Sequence, residues 1–247
     1  MVTRKVMNSN LPLIYGFNKA SEIGPDILAP CIFLKGCNLR CPYCMNAKLV
    51  DGSKIELINI EEVKKYVLEE KSQWVLISGG EPTNIDSNSL INLITELKSW
   101  GCKIGMATNG NMPDILEVIL PLLNYVALDI KCADDTMAKE IEMPNSHWYL
   151  LRVITTQIKL AGAKLKIKDF DYEVRTTLYP PLIDKKAIHE IGSLLRKDTR
   201  WVLQQFRHSE DMLDKKAYDI RPYGEGEVKK LLEIASIYCN DVQLRYV

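Results

Sequence analysis

The chain alternates, over most of its 247 residues, between short apolar runs and amphipathic helical segments, and few folds tolerate that order. The apolar runs are Ala29–Lys35, Trp74–Ser78, Lys103–Thr108, Tyr125–Ile130, Tyr172–Leu178 and Trp201–Phe206, each bounded by turn residues or a helical pattern. Between them the 3.6-residue period predicts helices over Glu61–Glu70, Asn88–Trp100, Asp114–Leu123, Trp148–Leu160, Lys185–Arg196 and Glu227–Tyr238. Asn59 with Glu62 reads as a capping box, and Gly101 as a helix stop. Val242–Val247 has the character of one more strand. Near-continuous apolar strands joined by helices imply a parallel α/β sheet with right-handed crossovers. Such sheets place their chemistry at the carboxyl ends of the strands, so functional polar motifs should fall there.

They do. Directly after the first apolar run comes Gly36-Cys37-Asn38-Leu39-Arg40-Cys41-Pro42-Tyr43-Cys44, with the spacing C-x3-C-x2-C. Three thiolates on a tight loop can hold three irons of a cubane cluster and leave the fourth without a protein ligand. An open coordination position is what separates catalytic from structural metal sites. Structural zinc would want a fourth ligand, and no other cysteine or histidine is paired nearby in sequence. Three buried cysteines without metal are the remaining alternative.

Three further motifs end the next strands. Ser78-Gly79-Gly80-Glu81-Pro82 offers two glycines that permit close backbone approach and a carboxylate suited to a cationic amine. Ala107-Thr108-Asn109-Gly110-Asn111 and Leu128-Asp129-Ile130-Lys131 follow, the latter with Asp129 and Lys131 two apart and so on one strand face. Each alone is compatible with a simple turn or ion pair. Their recurrence at successive strand ends argues for one shared site.

With these motifs the sequence resembles the radical SAM (S-adenosylmethionine) superfamily. Cys37-x3-Cys41-x2-Cys44 with the aromatic Tyr43 matches that family's cluster motif, and Gly79-Gly80-Glu81-Pro82 its second signature. The resemblance implies a partial (β/α)6 barrel, a [4Fe–4S] cluster on Cys37, Cys41 and Cys44, and SAM chelated to the fourth iron. It implies that Gly79, Gly80 and Glu81 hold the methionyl amino group, that Tyr43 meets the adenine, and that Thr108, Asn109, Asp129 and Lys131 surround the methionyl or ribose part. An electron from the cluster would then break the sulfur–C5′ bond and give a 5′-deoxyadenosyl radical.

Within the superfamily the chain is similar to the activating enzymes of glycyl-radical proteins, and more narrowly to the activating protein of anaerobic ribonucleoside-triphosphate reductase. Gly16–Ser21, Gly36–Asn46, Val174–Thr177 and Trp201–Arg207 carry this similarity. It implies a glycyl-radical enzyme as protein substrate, an electron donor such as flavodoxin or ferredoxin, and Arg175, Thr177 and Gln205 on the SAM or peptide side. Two positions depart from the activases: Met45 stands where they usually carry His, and Glu22–Asp26 lacks an Asp-x-Pro-Gly turn. A small-molecule radical SAM enzyme, for example in deazapurine synthesis, is the alternative substrate class. A passive iron–sulfur or zinc module is the non-enzymatic one.

Lys+Arg and Asp+Glu both number 32, which gives no electrostatic case for a nucleic-acid or anionic-membrane partner. No apolar run approaches a membrane span, and Met1–Asn10 is polar, so a cytoplasmic protein is expected. The chain reads as one domain: an N-terminal segment 1–28, a barrel core 29–210, and a C-terminal helix and strand 211–247. Cys31, Cys102, Cys132 and Cys239 read as buried, His147 and His189 as structural, and Tyr223–Gly226 as a connection. His208 follows the sixth strand and is the one histidine placed near the expected site.

Overall fold

A computed structural model describes residues 11, 12, 14–22, 24, 27–51, 57–142 and 149–246. Eight strands form one sheet in chain order: β1 (Ile14–Glu22), β2 (Leu28–Leu34), β3 (Trp74–Gly79), β4 (Lys103–Thr108), β5 (Tyr125–Asp129), β6 (Asp171–Leu178), β7 (Arg200–Gln205) and β8 (Asp241–Tyr246). Strands β2 to β8 are parallel, and β1 runs antiparallel to β2. The crossovers carry α1 (Ala47–Asp51), α2 (Ile60–Glu69), α3 (Ser87–Ser99), α4 (Pro113–Ile119), α5 (Asp135–Glu140), α6 (Tyr149–Lys166), α7 (Lys185–Leu194) and α8 (Glu225–Tyr238). The six expected parallel strands and the added final strand are all present. Val247, Trp148, His147, Met1–Asn10 and part of Glu22–Asp26 lie outside the described residues.

The sheet curls into an open barrel. In a flat sheet β1 and β8 would lie about 33 Å apart, at ~4.8 Å per strand. Instead Arg245 of β8 reaches Glu22 of β1 at 3.0 Å. Alternation along each strand separates two cores. Ile32, Leu34, Val75, Ile77, Ile104, Met106, Val126, Leu128, Val174, Trp201 and Leu203 face outward under the helices. Ala29, Cys31, Leu76, Ala107, Tyr125 and Ala127 form a separate inner cluster. Three of the six are alanines, which leaves room inside the barrel.

Several boundaries move for identifiable reasons. The helix expected over Asp114–Leu123 ends at Ile119 and tightens into a 3-10 turn over Leu120–Leu122, because Pro121 cannot donate to the helical ladder. Helix α6 runs six residues past Leu160, where Leu160 and Ala163 are still buried and Lys164 and Lys166 complement its C-terminal dipole. Asn59 caps α2 through the Glu61 N–H rather than that of Glu62. Strand β1 was not anticipated; its sequence, Ile-Tyr-Gly-Phe-Asn-Lys-Ala-Ser-Glu, is too polar for the apolar-run criterion because it is an edge strand facing solvent.

Candidate active site

The cysteine loop begins at Gly36, whose φ of +89° only glycine adopts cheaply. It is held from three directions. The Gly36 N–H donates to Leu49 (2.9 Å), and the Arg40 N–H to Ile141 at the end of α5 (2.7 Å). From the segment after β7, Leu213 and Asp214 donate to Cys44 (3.1 Å) and Pro42 (3.0 Å). The Arg40 guanidinium adds bonds to the Cys37 and Leu39 carbonyls. So fixed, Cys37, Cys41 and Cys44 all line one cavity of about 550 Å³.

Burial pushes the Cys41 thiol up to about 12, and burial and then the Glu81 carboxylate push Cys37 up to about 11. Burial also raises Cys44. The free thiols are therefore protonated at neutral pH, and a bound cation would displace those protons. Among the described residues, no three His, Cys, Asp or Glu side chains converge on a single metal ion. A cubane makes a different demand, since each thiolate goes to a different iron. Soft thiolate donors spread around one cavity fit a cluster better than the zinc ion that the spacing also allowed.

The Gly-Gly-Glu motif lines the cavity and ties three backbone segments together. A Cβ on Gly79 would meet the Leu34 carbonyl at 2.3 Å, and one on Gly80 the Gly36 carbonyl at 2.0 Å. The glycines admit the backbone of β2 and the cysteine loop. The Gly80 N–H donates to Leu34 (2.9 Å) and the Glu81 N–H to Gly36 (2.7 Å). The Glu81 carboxylate, 1% exposed, accepts four bonds: from the Thr83 N–H and hydroxyl, the Thr108 hydroxyl (2.6 Å) and the Asn109 N–H (2.7 Å). It is a strut between the ends of β3 and β4, with three of the bonds on Oε1 and one on Oε2. Burial pushes its pKa up, and these donors pull it back. Thr108 and Asn109 are likewise committed: the Asn109 side chain donates to Asn38 in the cysteine loop (2.7 Å). All three line the cavity and hold its wall.

Asp129 and Lys131 do share the cavity and pair at 3.3 Å. Arg175 on β6 adds a two-pronged contact to Asp129, 2.7 and 2.8 Å. Burial alone would raise the Asp129 pKa, but Arg175 and then Lys131 override it and hold the carboxyl below its usual value. A folded pKa below the unfolded one stabilises the fold fully above ~4, and the gain is lost as pH falls through the folded value. Urea titrations at decreasing pH should therefore show an acid-side stability loss that is smaller in Asp129→Asn. An identical pH profile in that variant would refute the coupling.

Tyr43 is buried, with its ring against Tyr179 (4.8 Å) and Phe206 (6.4 Å), and borders the cavity. Gln205 also borders it, with its amide N–H on the Tyr223 carbonyl (2.9 Å), and so does Thr177. Sequence reasoning missed Gln204, Arg245, Glu22 and Asn18, which also line it. Alternation from the outward Trp201 and Leu203 points Gln204 inward and would have found it. His208 bonds the Ile220 carbonyl (2.9 Å) and is absent from the cavity wall, so it joins the structural histidines. His189 bonds Tyr238. Cys31, Cys102, Cys132 and Cys239 are buried as expected, though Cys31 faces the cavity. Of the connection expected over Tyr223–Gly226, only Tyr223 and Gly224 precede the helix: Gly224 caps α8, and Glu225 and Gly226 form its first turn, with Glu227 closing the capping box.

Comparison with known proteins bears on this site. Residues 31–161, more than half of the chain, match the family described as the radical SAM superfamily. A Methanocaldococcus jannaschii protein, provisionally named a glycyl-radical enzyme activating enzyme, is 29% identical over 238 residues, 95% of this chain and 96% of that one. The pyruvate formate-lyase-activating enzyme of Clostridium pasteurianum is 32% identical over 118 residues, 45% of this chain and 49% of its own. A 7-carboxy-7-deazaguanine synthase of Methanospirillum hungatei is 33% identical over 105 residues, 42% of each chain. Among solved structures, TYW1 with a lysine–pyruvate adduct shares the fold, with a TM-score of 0.57 at 18% identity over 85% of this chain and 74% of that one.

Proposed function

The chain belongs to the radical SAM superfamily, whose cofactors are a [4Fe–4S] cluster and S-adenosylmethionine, and on that premise we propose that it installs a glycyl radical on a partner protein. Anaerobic ribonucleoside-triphosphate reductase is our candidate partner, and a flavodoxin or ferredoxin our candidate electron donor. The observation that carries the reading is the cavity's extent. It runs from the cysteine loop at the carboxyl ends of the strands to Glu22 and Leu28 at the opposite end of β1 and β2. A space that long suits a polypeptide segment; a small-molecule enzyme would want a closed pocket. The likeness to an activating enzyme over nearly the full length of both chains points the same way. The likeness to deazaguanine synthases reaches 54% of the chain at most among those compared, and fits shared chemistry rather than a shared substrate.

In this reading Cys37, Cys41 and Cys44 hold the cluster. A reduced cluster held there would supply the one electron needed to cleave SAM to methionine and a 5′-deoxyadenosyl radical, and hydrogen transfer from a glycine Cα would leave 5′-deoxyadenosine and the glycyl radical. The chain's own residues supply the orientation. Tyr43 borders the cofactor space beside the cluster loop, Gly79 and Gly80 offer backbone groups there, and the Glu81–Thr108–Asn109 strut keeps that wall rigid. Asp129, Lys131 and Arg175 form a paired shelf with one positive charge in excess, suited to the carboxylate and hydroxyl groups of SAM, and Gln205 lines the same cavity.

Anaerobic reconstitution with iron and sulfide, reduction and addition of SAM should release 5′-deoxyadenosine and methionine. Co-incubation with the reductase should add a glycyl-radical EPR signal. SAM cleavage without that signal, across candidate glycyl-radical partners, would overturn the choice of substrate; a loaded cluster that cleaves no SAM would overturn the chemistry.

A further inference from the structure

The sheet has two edges, β1 and β8, each with a single strand neighbour. Between them lies a seam bridged by side chains. Arg245 on β8 is anchored from below: its two terminal nitrogens grip both carboxylate oxygens of Glu173 on β6, at 2.8 and 3.1 Å. Glu173 is fully buried and also accepts from the Gly24 N–H (3.3 Å). Its third nitrogen, Nε, makes an ion pair across the seam with Glu22 on β1 at 3.0 Å.

The two halves of this bridge are unequal. The Arg245–Glu173 fork is bidentate and buried, and opening it would strand a charge in the interior. Glu22 is 54% exposed, and an ion pair with one partner in solvent is weak. Arg245 is therefore a fixed post and Glu22 a releasable end. The seam is also where the cavity meets the side of the barrel. Glu22, Arg245, Leu28 and Tyr246 all line the cavity, and the last two are 69% and 75% exposed. Unpaired strand edges next to exposed apolar side chains suit an extended polypeptide, which brings backbone donors and acceptors of its own.

We propose that Arg245 is a clasp: by gripping Glu22 it closes the seam between β1 and β8, and release of Glu22 opens a side port through which an extended polypeptide segment enters the cavity. The identity of the entrant rests on the protein-substrate reading above; the clasp itself does not.

Cys31 provides the test. It lies on the inner face of β2, next to β1, 3% exposed and lining the cavity. The cluster-loaded protein is treated anaerobically with N-ethylmaleimide, or with a maleimide on a polyethylene-glycol chain that stands in for an extended polymer. Labelling is mapped by peptide mass spectrometry. The ratio of the two rates at Cys31 cancels the thiol's own reactivity and reports passage of the chain. Glu22→Gln should raise that ratio about fivefold, the scale of an exposed ion pair. About 0.5 M salt should raise it in the parent protein and not in the variant, since screening then acts within a few ångströms. Cys239, buried under α8 outside the barrel, should not change. An unchanged Cys31 ratio in Glu22→Gln would overturn the clasp, and so would a parallel rise at Cys239, which would mean general loosening. Failure of the substrate reading is separately visible: it removes the glycyl-radical signal and leaves the labelling pattern intact.

Discussion

Replacing Cys41 by alanine should abolish cluster loading and lower SAM cleavage by more than about 100-fold, while Cys102→Ala and Cys239→Ala retain both. Removing an outer-shell partner of a metal ligand already costs 10–100-fold, and a direct ligand is worth more. Cys41 is the most buried of the three loop cysteines, so no water or neighbouring thiol can readily take its place. Its loop is fixed by backbone bonds to Leu49, Ile141, Leu213 and Asp214, none of which uses the thiol. The substitution should therefore leave the unfolding midpoint nearly unchanged while iron and the absorbance of the cluster disappear. Cys37→Ala and Cys44→Ala should behave alike. Cys102 and Cys239 pack outside the barrel against the Ser72 and Arg196 carbonyls, and lose only a small buried side chain. A Cys41→Ala protein that still cleaved SAM at the parent rate would refute the assignment of the loop.

Glu81→Ala should destabilise the fold by about 3–5 kcal/mol, the range for breaking a buried charged network by removing one member. The carboxylate satisfies two backbone N–H groups and two hydroxyls. The hydroxyls can rotate, but the N–H groups of Thr83 and Asn109 cannot, and each buried orphan donor costs about 1–3 kcal/mol. Such a loss is a large share of the ~5–15 kcal/mol that holds a domain together. The damage should spread to the cysteine loop, because Gly80 and Glu81 bind it through Leu34 and Gly36. Iron content should fall with stability. Glu81→Gln keeps an acceptor oxygen and should lose less. Urea midpoints and iron content measured on the same preparations decide it: an unchanged midpoint in Glu81→Ala would return Glu81 to the role of a ligand for a cationic amine.

The strut and the clasp show where sequence reading stops. The spacing of Cys37, Cys41 and Cys44 needs only eight consecutive residues, and the apolar runs that became β2 to β7 need five to eight each. Strand polarity, the site at the strand ends and the inward position of Asp129, Lys131 and Arg175 follow from local period and from the rule for parallel sheets. The role of Glu81 does not follow. Its motif reads equally well as a free carboxylate, and only the alignment of β3 beside β4 brings Thr108 and Asn109 onto its oxygens. Gln204 was available in principle from alternation on β7; Tyr43 was found, but not its stacking on Tyr179 and Phe206.

By itself the sequence determined the parallel α/β class, the succession of strands and helices along the chain and a tricysteine loop with the spacing of an open metal site, because period and spacing act over a few residues of contiguous chain. Only the tertiary structure decided that the sheet curls until β1 faces β8, that Glu81 is a strut, and that Arg245 stands between Glu173 and Glu22. Those contacts join residues far apart along the chain, and which partner a buried charge finds depends on register, tilt and closure, quantities that no short stretch of sequence carries.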